Sequence, residues 1–417
     1  MKSSLKLNTF YLFIVQGSTH LLPLITFPYL VRVLGPTGFG TLAFAQATIQ
    51  YFTLLTDYGF NLSTSKAIAQ NSKSHTEVER IFWSTFFAKI ALAIISFMAL
   101  CTLVLAVKTY REIADVLFFY FIGVVGSALT PTWFFQGMEK MRPLTISSLI
   151  SRATIIPLTF MLVKSPQDLS IAAAFQGSAG LLVGLVGLFL VYKDKTIKRI
   201  LFSPRDIIDS LKDGWHVFTS TAAISLYTVS TTVILGFISG PAAVGLFNAV
   251  NTIKNAATFA FTPFSQALYP RINSLFQTSY NEAIALLRKA LRIQGSVAAF
   301  VSIMLFVFAE LIEQLVLGSK FTGAALVIRI FAPIPFLTSL SNILGIQTML
   351  THGYKKEFSR ILITSGFLNI ALIFPLCTHL AAKGAAISVL LTETFVTICM
   401  ILFLKKKNHA LFGRAQE

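Results

Sequence analysis

Apolar residues run through this chain in long blocks rather than in alternation. Stretches of about 20 residues recur from "FYLFIVQG" near the N-terminus to "MILFLKK" near the C-terminus, each long enough to cross a bilayer as a helix. Polar residues gather in short intervals between them. The pattern predicts twelve helices, over 10–31, 39–60, 82–106, 114–135, 144–163, 169–191, 216–238, 243–268, 294–317, 323–350, 358–379 and 384–404. The longest interval, "YKDKTIKRILFSPRDIIDSLKDGW" over 192–215, falls at the midpoint of the chain. The expected organisation is an N-terminal six-helix lobe over 1–192, a connector over 193–215, a C-terminal six-helix lobe over 216–404 and a tail over 405–417.

A short motif recurs in matching places. Gly35-Pro36 and Gly40 in "RVLGPTGFG" return 205 positions later as Gly240-Pro241 and Gly245 in "ISGPAAVG". Each is the expected turn between the first and second helix of its half. Downstream, Gln46 aligns with Asn251 and Gln50 with Asn255. Six crossings return the chain to its starting side, so the halves read as a parallel duplication. Such repeats form two lobes around a central cavity and rock to give alternating access.

Composition agrees. Hydrophobic residues make up 55% of the chain, charged residues 12%, and the mean hydropathy is +0.73. This is an all-α polytopic membrane protein by its sequence. The opening "MKSSLKLNTFYLFIVQG" runs into the first span without a small-residue cleavage site, so no cleaved leader is expected. The net charge of +17 does not require nucleic acid. With the N-terminus inside, most Lys and Arg fall in cytoplasmic intervals, among them Lys66, Lys73, Arg80, Lys140, Arg142, Lys193, Lys198, Arg199, Arg205, Lys212, Arg288, Lys289 and Lys355. The opposite side carries Arg32, Lys108, Arg111, Lys164, Lys320 and Lys383. This asymmetry predicts cytoplasmic termini. Cys101, Cys377 and Cys399 lie in or beside apolar runs without metal-ligand spacing, and no cofactor is expected.

The stretch "PLITFPYLVRVLGPTGFGTLAFAQATIQYFTLLTDYGFNLSTSKAIAQN", residues 23–71, resembles the O-antigen and polysaccharide flippases of the multidrug/oligosaccharidyl-lipid/polysaccharide exporter superfamily. "FPYLVRVLGPTGFG" and "TDYGFNLS" carry the likeness; "QTMLTHGYKKEF" (347–358) adds a weaker echo. The resemblance implies twelve helices in two lobes. It also implies carriage of an undecaprenyl-diphosphate-linked sugar repeat unit from the inner to the outer leaflet of a bacterial inner membrane. Membrane lipids, and the polymerase and chain-length regulator of the same pathway, are the partners it suggests.

Four basic residues fall inside predicted spans: Lys89, Arg152, Lys254 and Arg329. A charge at mid-bilayer is costly unless it meets a cavity or a partner. These four are the candidate substrate-binding residues, because cations suit a diphosphate. Small and polar neighbours in "SSLISRATIIP" and "NAVNTIKNAATF" single out Arg152 and Lys254. The plainer alternative for each is snorkelling or internal pairing. Glu393 in "LLTETFVTI" and Asp57 in "TDYGFN" are the candidate ion-coupling residues, with a salt bridge as the alternative. His20, mid-span in "GSTHLLP", reads more simply as packed and neutral. Glu310 and Glu313 sit near the outer face.

These features weigh against an enzyme. The outer intervals are too short for the catalytic loops of an integral-membrane glycan polymerase, and no GxxxxGK[ST] phosphate loop appears. A cation or drug antiporter of the same superfamily and a peptidoglycan-precursor flippase remain alternatives. An antiporter favours intramembrane acids, whereas basic residues predominate here.

Overall fold

Helices account for all regular structure among the described residues of the computed structural model, which are residue 17, residues 22–193, residues 197–407 and residue 411. The start of the first predicted span, His20, Lys2, Lys6, Lys195 and Arg414 lie outside them. The labelled helices are α1 Pro23–Asp57, α2 Phe60–Gln70, α3 His75–Ala106, α4 Ala114–Leu129, α5 Thr132–Gly137, α6 Arg142–Leu162, α7 Leu169–Lys193, α8 Pro204–Phe259, α9 Thr262–Thr278, α10 Tyr280–Val307, α11 Ala324–Phe331, α12 Ile334–Ser341 and α13 Lys355–Lys406. A π-helical segment, Asn342–Leu350, follows α12.

Three of these helices are broken where the sequence predicts gaps between spans. α1 breaks at Gly35 (φ 68°, ψ −179°), α8 at Gly240 (φ 79°, ψ 177°) and α13 at Ala381 (φ 48°, ψ −125°). Gly35 and Gly240 share nearly one backbone conformation, a region essentially closed to residues with a Cβ. A proline follows each, pre-set for a helix's first turn. The duplicated motif is therefore a duplicated backbone break.

Other limits differ from the hydropathy reading. The third span begins at His75 rather than 82, capped by Ser74, whose Oγ accepts the Glu77 amide at 3.5 Å. The ninth begins at Tyr280 rather than 294. In both, a polar helical turn precedes the apolar block, and hydropathy registers only the apolar part. The eighth predicted span ends at Phe259, and α9 starts afresh at Thr262. The tenth resolves into α11, α12 and the π-helical segment; Pro333 and Pro335 interrupt its backbone hydrogen bonding.

The chain divides into two compact units, Met1–Val229 and Ser230–Glu417, with α8 running across the division. In the first unit α4 and α7 pack face to face through glycines. A Cβ on Gly126 would stand 2.2 Å from the Leu181 nitrogen, and one on Gly177 2.4 Å from the Phe119 carbonyl. In lipid, close backbone approach replaces the hydrophobic effect as the force between helices. An aromatic core of Phe60, Phe82, Trp133 and Phe134 closes one end. The connector and the start of the seventh span also belong to this unit. Glu79 Oε1 accepts the amides of Lys198 (2.6 Å) and Arg199 (3.1 Å), Arg80 Nε donates to Asp206 Oδ2 at 2.8 Å, and Phe218 stacks on Tyr58 with centroids 4.6 Å apart.

In the second unit Ile272, Leu287, Ile343, Met349, Met400 and Leu404 form the corresponding apolar cluster. Asn369 accepts from Thr231 Oγ1 at 3.2 Å and donates to Ser388 and Thr392, at 3.1 and 3.2 Å, tying α8 to both arms of α13. Large apolar side chains such as Leu105, Phe189, Phe300, Phe367 and Leu402 are left exposed. On spans of this hydropathy, exposed apolar side chains suit a lipid surround.

Candidate functional site

Asp57 is the last residue of α1, where "TDYGFN" turns the chain through two positive-φ residues, Tyr58 (43°) and Gly59 (78°). Gly59 serves a second constraint: a Cβ there would lie 2.6 Å from the Val217 Cβ. The turn delivers Asp57 to Lys89 on α3. Lys89 is only 2% exposed, and its Nζ donates to Asp57 Oδ1 at 2.9 Å and to the Ser127 carbonyl at 2.7 Å. Ser127 Oγ donates to the same Asp57 oxygen at 2.6 Å. A buried ammonium requires a counter-charge and hydrogen-bond acceptors, and Asp57 and Ser127 supply both. One candidate cation and one candidate ion-coupling carboxylate are thus each other's partners.

Arg329 is also paired. Its guanidinium lies 2.9 Å from Glu310 Oε1 and 6.0 Å from the Phe306 ring centroid. Glu313 caps the start of α11 by accepting the amides of Gly323 and Ala325, an anion at a helix N-terminus.

Arg152 differs. It is half-buried on α6 and has no hydrogen bond or ion pair among the described residues. Its neighbour Ser151 is buried and donates to the Ala179 carbonyl at 2.7 Å, holding α6 against α7.

Lys254 lies on α8 beyond the Gly240 break, with its Nζ 5.7 Å from the Phe331 ring centroid, within cation–π range. Glu393 on α13 acts on it electrostatically without forming an ion pair. The second unit thus brings one candidate cation and one candidate carboxylate into mutual influence, and neither forms an ion pair among the described residues. That arrangement can receive an anion at Lys254 or hold a proton at Glu393.

Intramembrane charge alone does not mark Ser127, the hydroxyl that completes the Lys89 network. Nor does charge mark Gln294 and Gln347, neutral amides in the apolar runs "RIQGSVAAF" and "GIQTMLTHG", both of which are buried.

The sequence model of the polysaccharide biosynthesis protein family matches residues 5–276. The chain is 45% identical over 407 residues to a protein of Escherichia coli (strain K12) titled "Putative O-antigen transporter", covering 98% of each. A Shigella dysenteriae protein of the same title is 33% identical over 402 residues, covering 96% of this chain and 100% of its own. Among solved structures, the inward-facing conformation of a multidrug resistance MATE family transporter of the MOP superfamily superposes with a TM-score of 0.71. It shares 16% identity and covers 98% of this chain and 99% of its own, a likeness of fold. The breadth of these matches, the helical fold and the apolar spans lead to one conclusion: the chain belongs to the polysaccharide biosynthesis protein family, as a multi-pass membrane protein with a MOP-type fold.

Proposed function

We propose that this protein is a flippase that carries an undecaprenyl-diphosphate-linked oligosaccharide, an O-antigen or related repeat unit, from the cytoplasmic to the periplasmic leaflet of the bacterial inner membrane. The observation that carries the reading is the 45% identity, over nearly the whole of both chains, to the E. coli protein named "Putative O-antigen transporter". The paired breaks at Gly35 and Gly240 support a duplicated unit of six crossings, twelve in all, and the basic asymmetry supports cytoplasmic termini. Alternating access is the mechanism that suits such a duplication. Arg152 and Lys254, the candidate cations that form no ion pair among the described residues, are the residues proposed to meet the diphosphate. Glu393 is the residue proposed to couple transport to an ion gradient. Lys89, Asp57 and Arg329 are assigned instead to holding their helices.

The test is transport in proteoliposomes containing this protein alone. Lipid-linked repeat units placed in one leaflet become accessible to a glycosidase in the other. Deleting the gene leaves single lipid-linked units accumulated on the cytoplasmic face. Normal surface display with altered polymer length overturns the flippase reading in favour of a polymerase.

A further inference from the structure

Between α7 and α8 the chain makes an excursion along α3. It begins at the polar end of that helix, where Glu79 Oε1 accepts the amides of Lys198 and Arg199. Three residues later the Phe202 ring lies 4.4 Å, centroid to centroid, from that of Phe87. Phe87 stands eight residues beyond Glu79 on α3, about 12 Å along the axis, and inside the predicted span over 82–106. The chain then turns back. Ser203 and Asp206 exchange hydrogen bonds at the start of α8, and Asp206 accepts from Arg80, next to Glu79. Both feet of the loop are therefore fixed at the polar end of α3, and its tip rests on the apolar stretch.

The tip is apolar and exposed. Ile200 is 64% exposed and Phe202 43%, at the level where α3 itself has become apolar. The feet are basic and exposed: Lys198 and Arg199 on one, Arg205 on the other. None of the three forms an ion pair among the described residues. Neighbouring acids are engaged elsewhere. Glu79 is taken by the two amides, Asp206 by Arg80, and Asp209 by Lys212 at 3.3 Å. Glu77 and Asp213 are the other acids on the adjoining turns of α3 and α8.

An apolar tip between cations suits one kind of surface. The interface of a leaflet offers acyl chains beside headgroups, and apolar side chains enter it while Lys and Arg stay at the phosphates. Anionic lipids of the cytoplasmic leaflet attract basic segments further, and the predicted topology puts this loop on that side. The cations are all exposed, which suits the exchanging headgroups of the surrounding leaflet.

We infer that the loop over 197–205 is a binding site for anionic phospholipid, with Ile200 and Phe202 among the acyl chains and Lys198, Arg199 and Arg205 at the headgroup phosphates. Through Glu79 and Arg80, bound lipid would hold α3 and the start of α8 to the membrane surface. The inference rests on membrane residence and is independent of the flippase reading.

The experiment measures amide hydrogen exchange at residues 200–202 in the full-length protein, reconstituted in nanodiscs at low ionic strength. Adding phosphatidylglycerol to phosphatidylcholine slows exchange in wild type by about fivefold or more, the worth of one basic residue at an anionic surface. Salt at about 1 M, where the Debye length is about 3 Å, abolishes the slowing and needs no variant. The triple variant Lys198→Gln, Arg199→Gln, Arg205→Gln keeps the backbone bonds to Glu79 and exchanges equally in both lipids. Equal exchange of wild type in the two lipids overturns the site. Slowing that survives both salt and the triple variant overturns it too, because these cations then do not carry it. Slowing by undecaprenyl diphosphate in phosphatidylcholine, but not by phosphatidylglycerol, overturns it in favour of a contact with the cargo lipid.

Discussion

The Lys89 ammonium donates to Asp57 Oδ1 at 2.9 Å, from a side chain that is 2% exposed to one that is 32% exposed. Ser127 binds both partners, its carbonyl to Lys89 and its hydroxyl to Asp57. The contact ties the end of α1 to α3 and α4. Removing one partner of a fully buried pair costs about 3–5 kcal/mol; the exposure of Asp57 reduces that here to about 1–3 kcal/mol. Lys89→Met and Asp57→Asn each lower stability by this amount in SDS denaturation. Their double-mutant cycle gives a coupling of about 1 kcal/mol or more. Strictly additive losses would show that the two charges act separately.

Gly240 sits at φ 79°, ψ 177°, and apart from its own helix backbone and chain neighbours no described atom lies within 4 Å of where a Cβ would stand. Gly240→Ala therefore introduces backbone strain without a clash, costing about 1–3 kcal/mol. Gly35→Ala, at nearly the same dihedral angles, loses a similar amount. Comparable losses of membrane accumulation in the two variants, measured by immunoblot, are the expected result. A neutral pair of variants means that the breaks do not need glycine.

The connector is fastened by charge. The Arg80 guanidinium hydrogen-bonded to Asp206 holds that carboxyl down to about 2, against an ordinary value of 3.8. A depressed folded value means the bridge contributes fully above about pH 4 and is lost as pH falls toward 2. Proteolysis with pepsin between pH 4 and pH 2 therefore cuts near residues 199–204 increasingly as the pH falls. Asp206→Asn is cut readily throughout that window. A wild type with unchanged cleavage across it would show that the bridge does not fasten the connector.

Arg152 and Lys254 have no ion-pair partner among the described residues, and they carry the proposed diphosphate contact. Arg152→Ala and Lys254→Ala reduce proteoliposome transport by about tenfold or more at normal protein level, the scale of one lost charge-assisted contact. Arg152→Lys keeps the charge but not the fork and falls between alanine and wild type. Glu393→Gln retains binding and loses the response to a pH gradient. Normal transport by both alanine variants removes these residues from the cargo path.

Topology follows the basic asymmetry. Reporters fused after Lys108, Lys164, Gly318 and Lys383 read as external. Those after Lys73, Lys140, Lys198, Lys289 and Lys407 read as internal. An external signal at Lys198 breaks the six-plus-six division.

Helix content, membrane residence and the repeated Gly-Pro break were legible in the chain itself. Hydropathy depends on composition over about 20 residues, and Gly-Pro carries its own backbone preference wherever it falls, so both survive without knowledge of neighbours. The gaps that hold Gly35, Gly240 and Ala381 could be read for that reason. Partnership could not. Lys89 and Lys254 look alike in sequence, each a cation in an apolar run. Only packing shows that Asp57, 32 residues away, closes on Lys89, and that Glu393 influences Lys254 without touching it. The amides of Gln294 and Gln347 are the sharper case. Whether a polar group is satisfied depends on which distant backbone reaches it, here Ser265. The burial of both amides exists only once the helices have packed around them.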